Sequence, residues 1–267
     1  MKVNEYYRPS SLKEAYGKLL EHPQNVLLGG GLWIKKTDAP VNVLIDLEPL
    51  GLKGTTVTDK EISIGALENF YDLEKHPALL PIGGGFLSKA FKSVMGVALR
   101  RQATIGGTLA GKYPFSDIIT ALLTLDVELD FYPEKTLKLE EYLVQKGKLK
   151  EILTTIRIKK GDSRGYFHKI SNTPLDFALL NIAINRTGHH YKIAVGSRPG
   201  ISQLAEKTMA LLNGFHSLDE ATIVKAADIL LSEISFASTT AGSGEYRAAL
   251  AKAYLKRGLA EVTSHVR

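Results

Sequence analysis

The chain has 267 residues, 44% of them hydrophobic and 23% charged, which is enough for one large or two modest domains with an ordinary globular core. It contains no cysteine, so disulfides, thiol nucleophiles and cysteine-held iron–sulfur clusters or zinc are excluded from it. The net charge of +6 is spread over small groups such as Lys35-Lys36, Arg100-Arg101 and Lys256-Arg257, without the clustered, aromatic-interleaved pattern of a nucleic-acid binder. No apolar run approaches the ~18 residues that span a bilayer, and Met1–Pro9 lacks a signal-peptide core. The expectation is a cytoplasmic protein with no membrane and no nucleic-acid role.

Ser10-Ser11 precedes Leu12, Ala15, Tyr16, Leu19 and Leu20, one face of a helix, with Ser11 and Glu14 spaced as a capping box. Val26–Leu28 predicts a short strand that runs into Gly29-Gly30-Gly31, and Val43–Leu47 predicts a second strand. From Thr55 a hairpin is expected around Asp59-Lys60, followed by helices over Ala66–Lys75 and Phe86–Val97. Arg100 to Gly111 then runs from a basic pair through a β-prone segment into a second glycine turn. Asp117–Leu125 reads as a buried helix with Ser116 as its cap. Val127–Tyr132 and Ile152–Ile158 read as strands, with a short helix over Glu140–Leu143 between them. Lys159–Gly165 is polar and marks a boundary. Beyond it, strands are predicted over Tyr166–Ile170, Phe177–Asn185 and Tyr191–Val195, with Thr187–His190 as a turn. Helices are expected near Gln203–Leu212, Leu218–Leu231 and Tyr246–Leu259.

The two glycine turns carry the chemistry. Glycines at a strand end let the backbone approach a ligand and leave N–H groups aimed at it, which suits a phosphate. Gly30 and Gly107 are 77 residues apart, and we read the two turns as holding one dinucleotide between them. Gly106–Lys112 nearly matches the triphosphate loop, but Tyr113 stands where a small hydroxyl must meet magnesium. The Gly-x-Gly-x-x-Gly fingerprint is absent. The seven histidines show no metal spacing, there is no nucleophile elbow, and no carboxylate pair stands out. No metal site and no catalytic acid or base is assigned.

Arg100-Arg101-Gln102-Ala103-Thr104-Ile105-Gly106-Gly107-Thr108, followed by Ser116-Asp117-Ile118 and Ala121–Leu129, resembles the FAD-binding (medium) subunit of molybdenum hydroxylases of the xanthine dehydrogenase and carbon monoxide dehydrogenase type. Val26–Gly31 resembles the family's first glycine loop and Leu44–Leu47 its following strand. Phe167–Ile170, Asp176–Ala178 and Glu245–Arg247 resemble its C-terminal domain, so the likeness covers nearly the whole chain. It implies an α+β fold: a two-subdomain FAD-binding fold of the PCMH/VAO type over 1–162 (subdomains about 1–54 and 55–162), then a C-terminal α+β domain over 163–267 with a three-stranded antiparallel sheet plus helices.

By this resemblance the cofactor is FAD. Leu27, Leu28, Gly29, Gly30, Gly31, Leu32 and Trp33 would line one diphosphate loop, and Thr104, Ile105, Gly106, Gly107 and Thr108 the other. Asp117 would bond ribityl or ribose hydroxyls, and Lys169 would approach the flavin. The implied partners are a molybdopterin-containing large subunit and an iron–sulfur small subunit, with NAD or another compound as electron acceptor. The alternatives are a flavin-less scaffold subunit of such a complex, or a nucleotide-triphosphate-binding protein. The sequence departs from the family pattern at Gly31-Leu32, which replace a polar pair and would offer an apolar surface. It departs again at Thr108, at Gly111-Lys112-Tyr113 and at Asn172-Thr173, which stand for an Asn, a small polar run and a basic pair.

Overall fold

A computed structural model describes residues 2–36, 38–145, 147 and 150–264. In chain order the first elements are β1 (Val3–Tyr7), α1 (Leu12–Glu21), β2 (Val26–Leu28), β3 (Val41–Asp46), β4 (Thr55–Val57), β5 (Glu61–Gly65) and α2 (Phe70–Leu73). Next come α3 (Phe86–Ser93), α4 (Val97–Gln102), α5 (Ile105–Gly111), α6 (Asp117–Leu123), β6 (Val127–Tyr132), β7 (Lys135–Lys138), α7 (Leu139–Val144) and β8 (Ile152–Lys159). The last are β9 (Arg164–Ile170), β10 (Leu180–Thr187), β11 (His190–Gly196), β12 (Gln203–Leu204), α8 (Glu206–Leu212), α9 (Glu220–Glu233) and α10 (Gly244–Thr263). They group into two compact units, one of 1–72, 97–111 and 127–158, the other of 73–96, 112–126 and 159–267.

The first unit holds two sheets. In the three-stranded one β3 lies between β1 and β2, parallel to both. Ala15 and Leu19 of α1 pack with Val43, Ile45, Leu47, Leu67 and Ile152. Ser11 caps α1 by accepting from the Glu14 N–H at 3.2 Å. The Glu14 carboxylate accepts from the Ser10 N–H and hydroxyl, both at 2.7 Å, instead of closing the expected box on Ser11. The second sheet runs β4-β5-β8-β6-β7. The expected helix over Ala66–Lys75 is only the single turn of α2, because Ala66 and Leu67 donate to the carbonyls of Thr154 and Leu52 instead of forming helix bonds.

The second unit is built on a four-stranded antiparallel sheet in the order β12-β11-β10-β9. This corrects the expected three strands. Gln203 and Leu204, assigned from sequence to the start of a helix, pair with Val195 and Ala194 instead, and the helix begins only at Glu206. Side chains alternate across β10, as a strand requires. Leu180, Ile182 and Ile184 enter a core with α8, α9 and α10. Asn181 and Asn185 turn the other way and bond to Thr120, in the middle of α6, and to the Thr124 carbonyl at its C-terminal end. Arg247 of α10 is buried and ties the helix to the sheet through the carbonyls of Leu179 and Ser197 and the Thr239 hydroxyl.

Candidate functional site

In the first unit, β2 ends at Leu28 and the chain turns through Gly29-Gly30-Gly31-Leu32 at the carboxyl end of a parallel strand, where open α/β sheets take their ligands. The strand is held there by the Leu47 N–H donating to the Leu28 carbonyl at 3.1 Å. Gly31 has φ +69°, a left-handed conformation that glycine adopts without steric cost. Among the described residues, the N–H groups of Gly30, Gly31 and Leu32 have no hydrogen-bond partner. They form an open set of donors.

The second glycine segment meets the first. A Cβ on Gly30 would overlap the Gln102 carbonyl oxygen, and one on Gly29 would lie 3.1 Å from the Thr104 hydroxyl oxygen. The backbones are therefore in van der Waals contact, and glycine at position 30 is the condition for it. The second segment is not a strand-end turn, however. Arg100–Gln102 complete α4, and Ile105–Gly111 form α5, with only Thr104 bridging to Asn69 between them. Its backbone donors are engaged. Ile105 N–H bonds the Glu68 carbonyl at 2.9 Å, Gly106 the Ala66 carbonyl at 2.8 Å, Gly107 the Thr104 hydroxyl at 3.2 Å and Thr108 the Thr104 carbonyl at 3.0 Å. A Cβ on Gly106 would come within 2.6 Å of the Ala66 oxygen, so this glycine too marks a close backbone approach. The triphosphate-loop alternative finds no open N–H at Gly106 or Gly107.

The flanking side chains divide in the same way. Leu27 packs toward the core around Ile45, and Leu32 is buried, so the apolar surface expected at Leu32 is not presented. Ile105 and Thr108 are also buried. After the first loop a 3-10 turn, Ile34–Lys36, brings up two ammonium groups. Lys35 reaches the Gln102 side-chain oxygen at 3.4 Å, and Lys36 sits 4.5 Å from the centroid of the Trp33 ring. Open N–H groups, close-packed glycines and two nearby cations together suit a bound diphosphate. The donor set fits the cofactor that the resemblance implies.

In the second unit Asp117 and Lys169 are brought together. Asp117 starts α6 and is 5% exposed; its Oδ2 lies 3.6 Å from Lys169 Nζ, whose side chain is 8% exposed. Asn181 Nδ2 donates to Asp117 Oδ1 at 2.7 Å, and the Ser93 hydroxyl lies 3.4 Å from Oδ2. Lys169 also donates to the Ser93 carbonyl at 3.1 Å. Burial pushes the Asp117 carboxyl above its ordinary range; the Lys169 charge and the bonds from Asn181, Ser93 and Lys169 oppose that rise. Sequence reasoning missed Asn181, Ser93, Thr120 and Ser202. The signal for Asn181 was present as a lone amide in the apolar run Leu179-Leu180-Asn181-Ile182-Ala183-Ile184, where an unpaired polar group would be costly.

These features define an α+β protein with a set of open backbone donors at the end of a parallel strand. Family models match both parts of the chain. Residues 1–159 match the FAD binding domain in molybdopterin dehydrogenase, and residues 165–262 match the CO dehydrogenase flavoprotein C-terminal domain. The chain is 30% identical over 190 residues to the nicotinate dehydrogenase FAD-subunit of Eubacterium barkeri, covering 64% of each chain. It is 25% identical to caffeine dehydrogenase subunit beta of Pseudomonas sp. strain CBB1, over 98% of this chain and 95% of that one. The fold matches that of a chain in a carbon monoxide dehydrogenase structure from Hydrogenophaga pseudoflava, with a TM-score of 0.88 and 23% identity, over 97% of this chain and 96% of that one. The chain belongs to the family of FAD-binding subunits of molybdopterin dehydrogenases. It is an oxidoreductase subunit whose cofactor is FAD. Among the described residues no helix is long and apolar enough to cross a membrane.

Proposed function

We propose that this chain is the electron-relay subunit of a multisubunit molybdenum hydroxylase. A large partner subunit carries molybdopterin and oxidises the substrate, a small one carries iron–sulfur clusters, and electrons pass through the FAD of this chain to NAD or another acceptor. The absence of cysteine in a chain of this family fits the division of labour, because the clusters must then be held elsewhere. The observation that carries the reading is the open N–H set of Gly30–Leu32 locked against Gln102. FAD, when bound, supplies the ability to accept and release electrons.

The chain's own residues bind and orient. The first glycine loop, from Leu28 to Leu32, takes the diphosphate, and Lys35 and Lys36 add positive charge beside it. Thr104–Thr108 supports that loop through Gln102 and the Thr104 hydroxyl. Asp117 and Lys169, in the second unit, belong to the cofactor's polar surroundings. The scaffold alternative draws on one observation, the engagement of the donors of Ile105, Gly106 and Gly107 within the chain.

Purified protein with flavin absorption near ~450 nm, or apo-protein that acquires it on addition of FAD, supports the relay reading. A chain that assembles with molybdopterin and iron–sulfur subunits yet takes up no FAD overturns it in favour of the scaffold. Reduction of the assembled enzyme by substrate, followed by reoxidation with NAD or with an artificial acceptor, identifies the acceptor class.

A further inference from the structure

Asn181 lies near the start of β10, fully buried, and both polar atoms of its side chain are engaged. Nδ2 donates to Asp117 Oδ1 at 2.7 Å and approaches the Ser197 hydroxyl at 3.3 Å, while Oδ1 accepts from the Thr120 hydroxyl at 2.7 Å. Thr120 in turn is 2.6 Å from the Ser202 hydroxyl. A consistent proton assignment runs Ser202 to Thr120, Thr120 to Asn181 and Asn181 to Asp117, and it fixes which way the amide faces. Room for this relay comes from β11. A Cβ on Gly196 would overlap Thr120 Oγ1 and Asn181 Oδ1 and lie 2.6 Å from Ser202 Oγ. The φ of Gly196 is not in the left-handed region, so glycine is needed there for space alone.

A buried chain of hydroxyl and amide groups is an expensive way to fill a sheet–helix interface, where apolar side chains would pack without polar debts. What it provides is a fixed carboxylate. With Oδ1 tied to Asn181, Oδ2 is left toward Lys169 and Ser93. An ammonium has three N–H groups; among the described residues one donates to the Ser93 carbonyl at 3.1 Å, and Asp117 Oδ2 lies at ion-pair distance, 3.6 Å.

We propose that Asn181, backed by Thr120 and Ser202, is a positioning residue that holds the Asp117 carboxylate as the fixed counter-ion of Lys169, so that the ammonium is held in place with N–H capacity left for the cofactor. This rests on the FAD reading above. Asn181 touches no ligand itself; it acts through Asp117 on Lys169.

A double-mutant cycle tests the relay in the full-length chain, with FAD affinity of the apo-protein and the reduction potential of the bound flavin as readouts. Asn181→Leu keeps the branched shape and heavy-atom count of the side chain and removes all three bonds. It is expected to weaken FAD binding about tenfold in the native background and less than about twofold in a Lys169→Met background, because the interaction it supports is already gone. The reduction potential is expected to fall in Asn181→Leu and Lys169→Met alike and to fall no further in the double variant. Equal factors in both backgrounds overturn the proposal, as does a lower melting temperature with unchanged affinity and potential. Should Asn181→Leu not fold, Thr120→Val removes the donor to Asn181 Oδ1 and runs through the same cycle with an expected factor of about three. A native chain that takes up no FAD overturns the FAD reading and this proposal with it; a native chain that binds FAD but gives additive effects overturns the relay alone.

Discussion

The two glycine segments of the first unit are both glycine-rich and differ in local structure and in what their N–H groups do. Gly30–Leu32 has open N–H groups, a left-handed glycine and no regular structure of its own. Thr104–Thr108 belongs largely to a helix and directs its donors to Ala66, Glu68 and Thr104. Glycine density therefore signals close backbone approach in both places, but open N–H donors remain in only one. In the first, glycine makes room for the second segment and frees donors. In the second, Gly106 makes room for the Ala66 carbonyl.

The sharpest way to break the comparison is Gly30→Val. Its Cβ has nowhere to go against the Gln102 carbonyl, and backbone cannot move aside as a flexible side chain can. We expect loss of bound flavin together with about 3 kcal/mol of stability, read from the ratio of visible to ultraviolet absorption and from denaturant titration. Wild-type flavin content in this variant would show that the two segments need not touch.

Asp117→Ala probes the second unit, where it leaves the Lys169 ammonium and the Asn181 amide without their buried partner. The expected cost is also about 3 kcal/mol near neutral pH, in urea unfolding. The pH dependence has a definite sign. Burial raises the Asp117 pKa, so the folded chain keeps that proton at pH values where the unfolded chain has lost it. This group's contribution is greatest below the ordinary aspartate value and shrinks as pH rises through the raised one. Comparing native protein with Asp117→Asn across that range isolates it: the native curve should fall relative to the variant as pH increases.

Smaller effects separate ligand surface from support. Gly31→Ala must hold a side chain at φ +69°, at a cost of about 1–2 kcal/mol, and should weaken FAD binding measurably in a fluorescence titration. Gly107→Ala is expected to do less. The new Cβ displaces the Thr104 hydroxyl from 2.8 Å, while alanine gains about 1 kcal/mol over glycine in a helix. Flavin content should survive; its complete loss would return Gly107 to the phosphate surface. The mildest change is Lys35→Ala, which removes one screened charge beside the loop. A severalfold loss of FAD affinity that fades with added salt is the expected result, measured by titration at two ionic strengths.

Much of this was legible in the sequence. Val26–Leu28, Val43–Leu47, the hairpin at Asp59-Lys60 and the Ser116-capped helix all announce themselves through alternation, turn residues and caps, and each is present. The cofactor class followed from the residues around Gly106 once the family was seen. The path of the second segment was hidden, because Thr104 and Ile105 favour strands and paired glycines disfavour helices. Only the Ala66 and Glu68 carbonyls, supplied by a distant stretch, make the helix start there. β1 was missed for a related reason: three of its five residues are exposed, so it lacks an apolar alternation to read. The fourth strand of the second unit is two residues long and has no pattern at all; it exists because β11 offers an edge.

The contact between Gly30 and Gln102 also bears on how the protein comes into being. It joins positions 72 residues apart in the chain, so the loop proposed to take the diphosphate cannot be completed by local folding. Such long-range closures form slowly, after the intervening sheet has gathered its strands. Cofactor capture is then a late event during synthesis, and flavin uptake becomes a clock for it. In a refolding experiment, visible absorption should recover after the far-ultraviolet signal of secondary structure, with a lag that measures the closure itself.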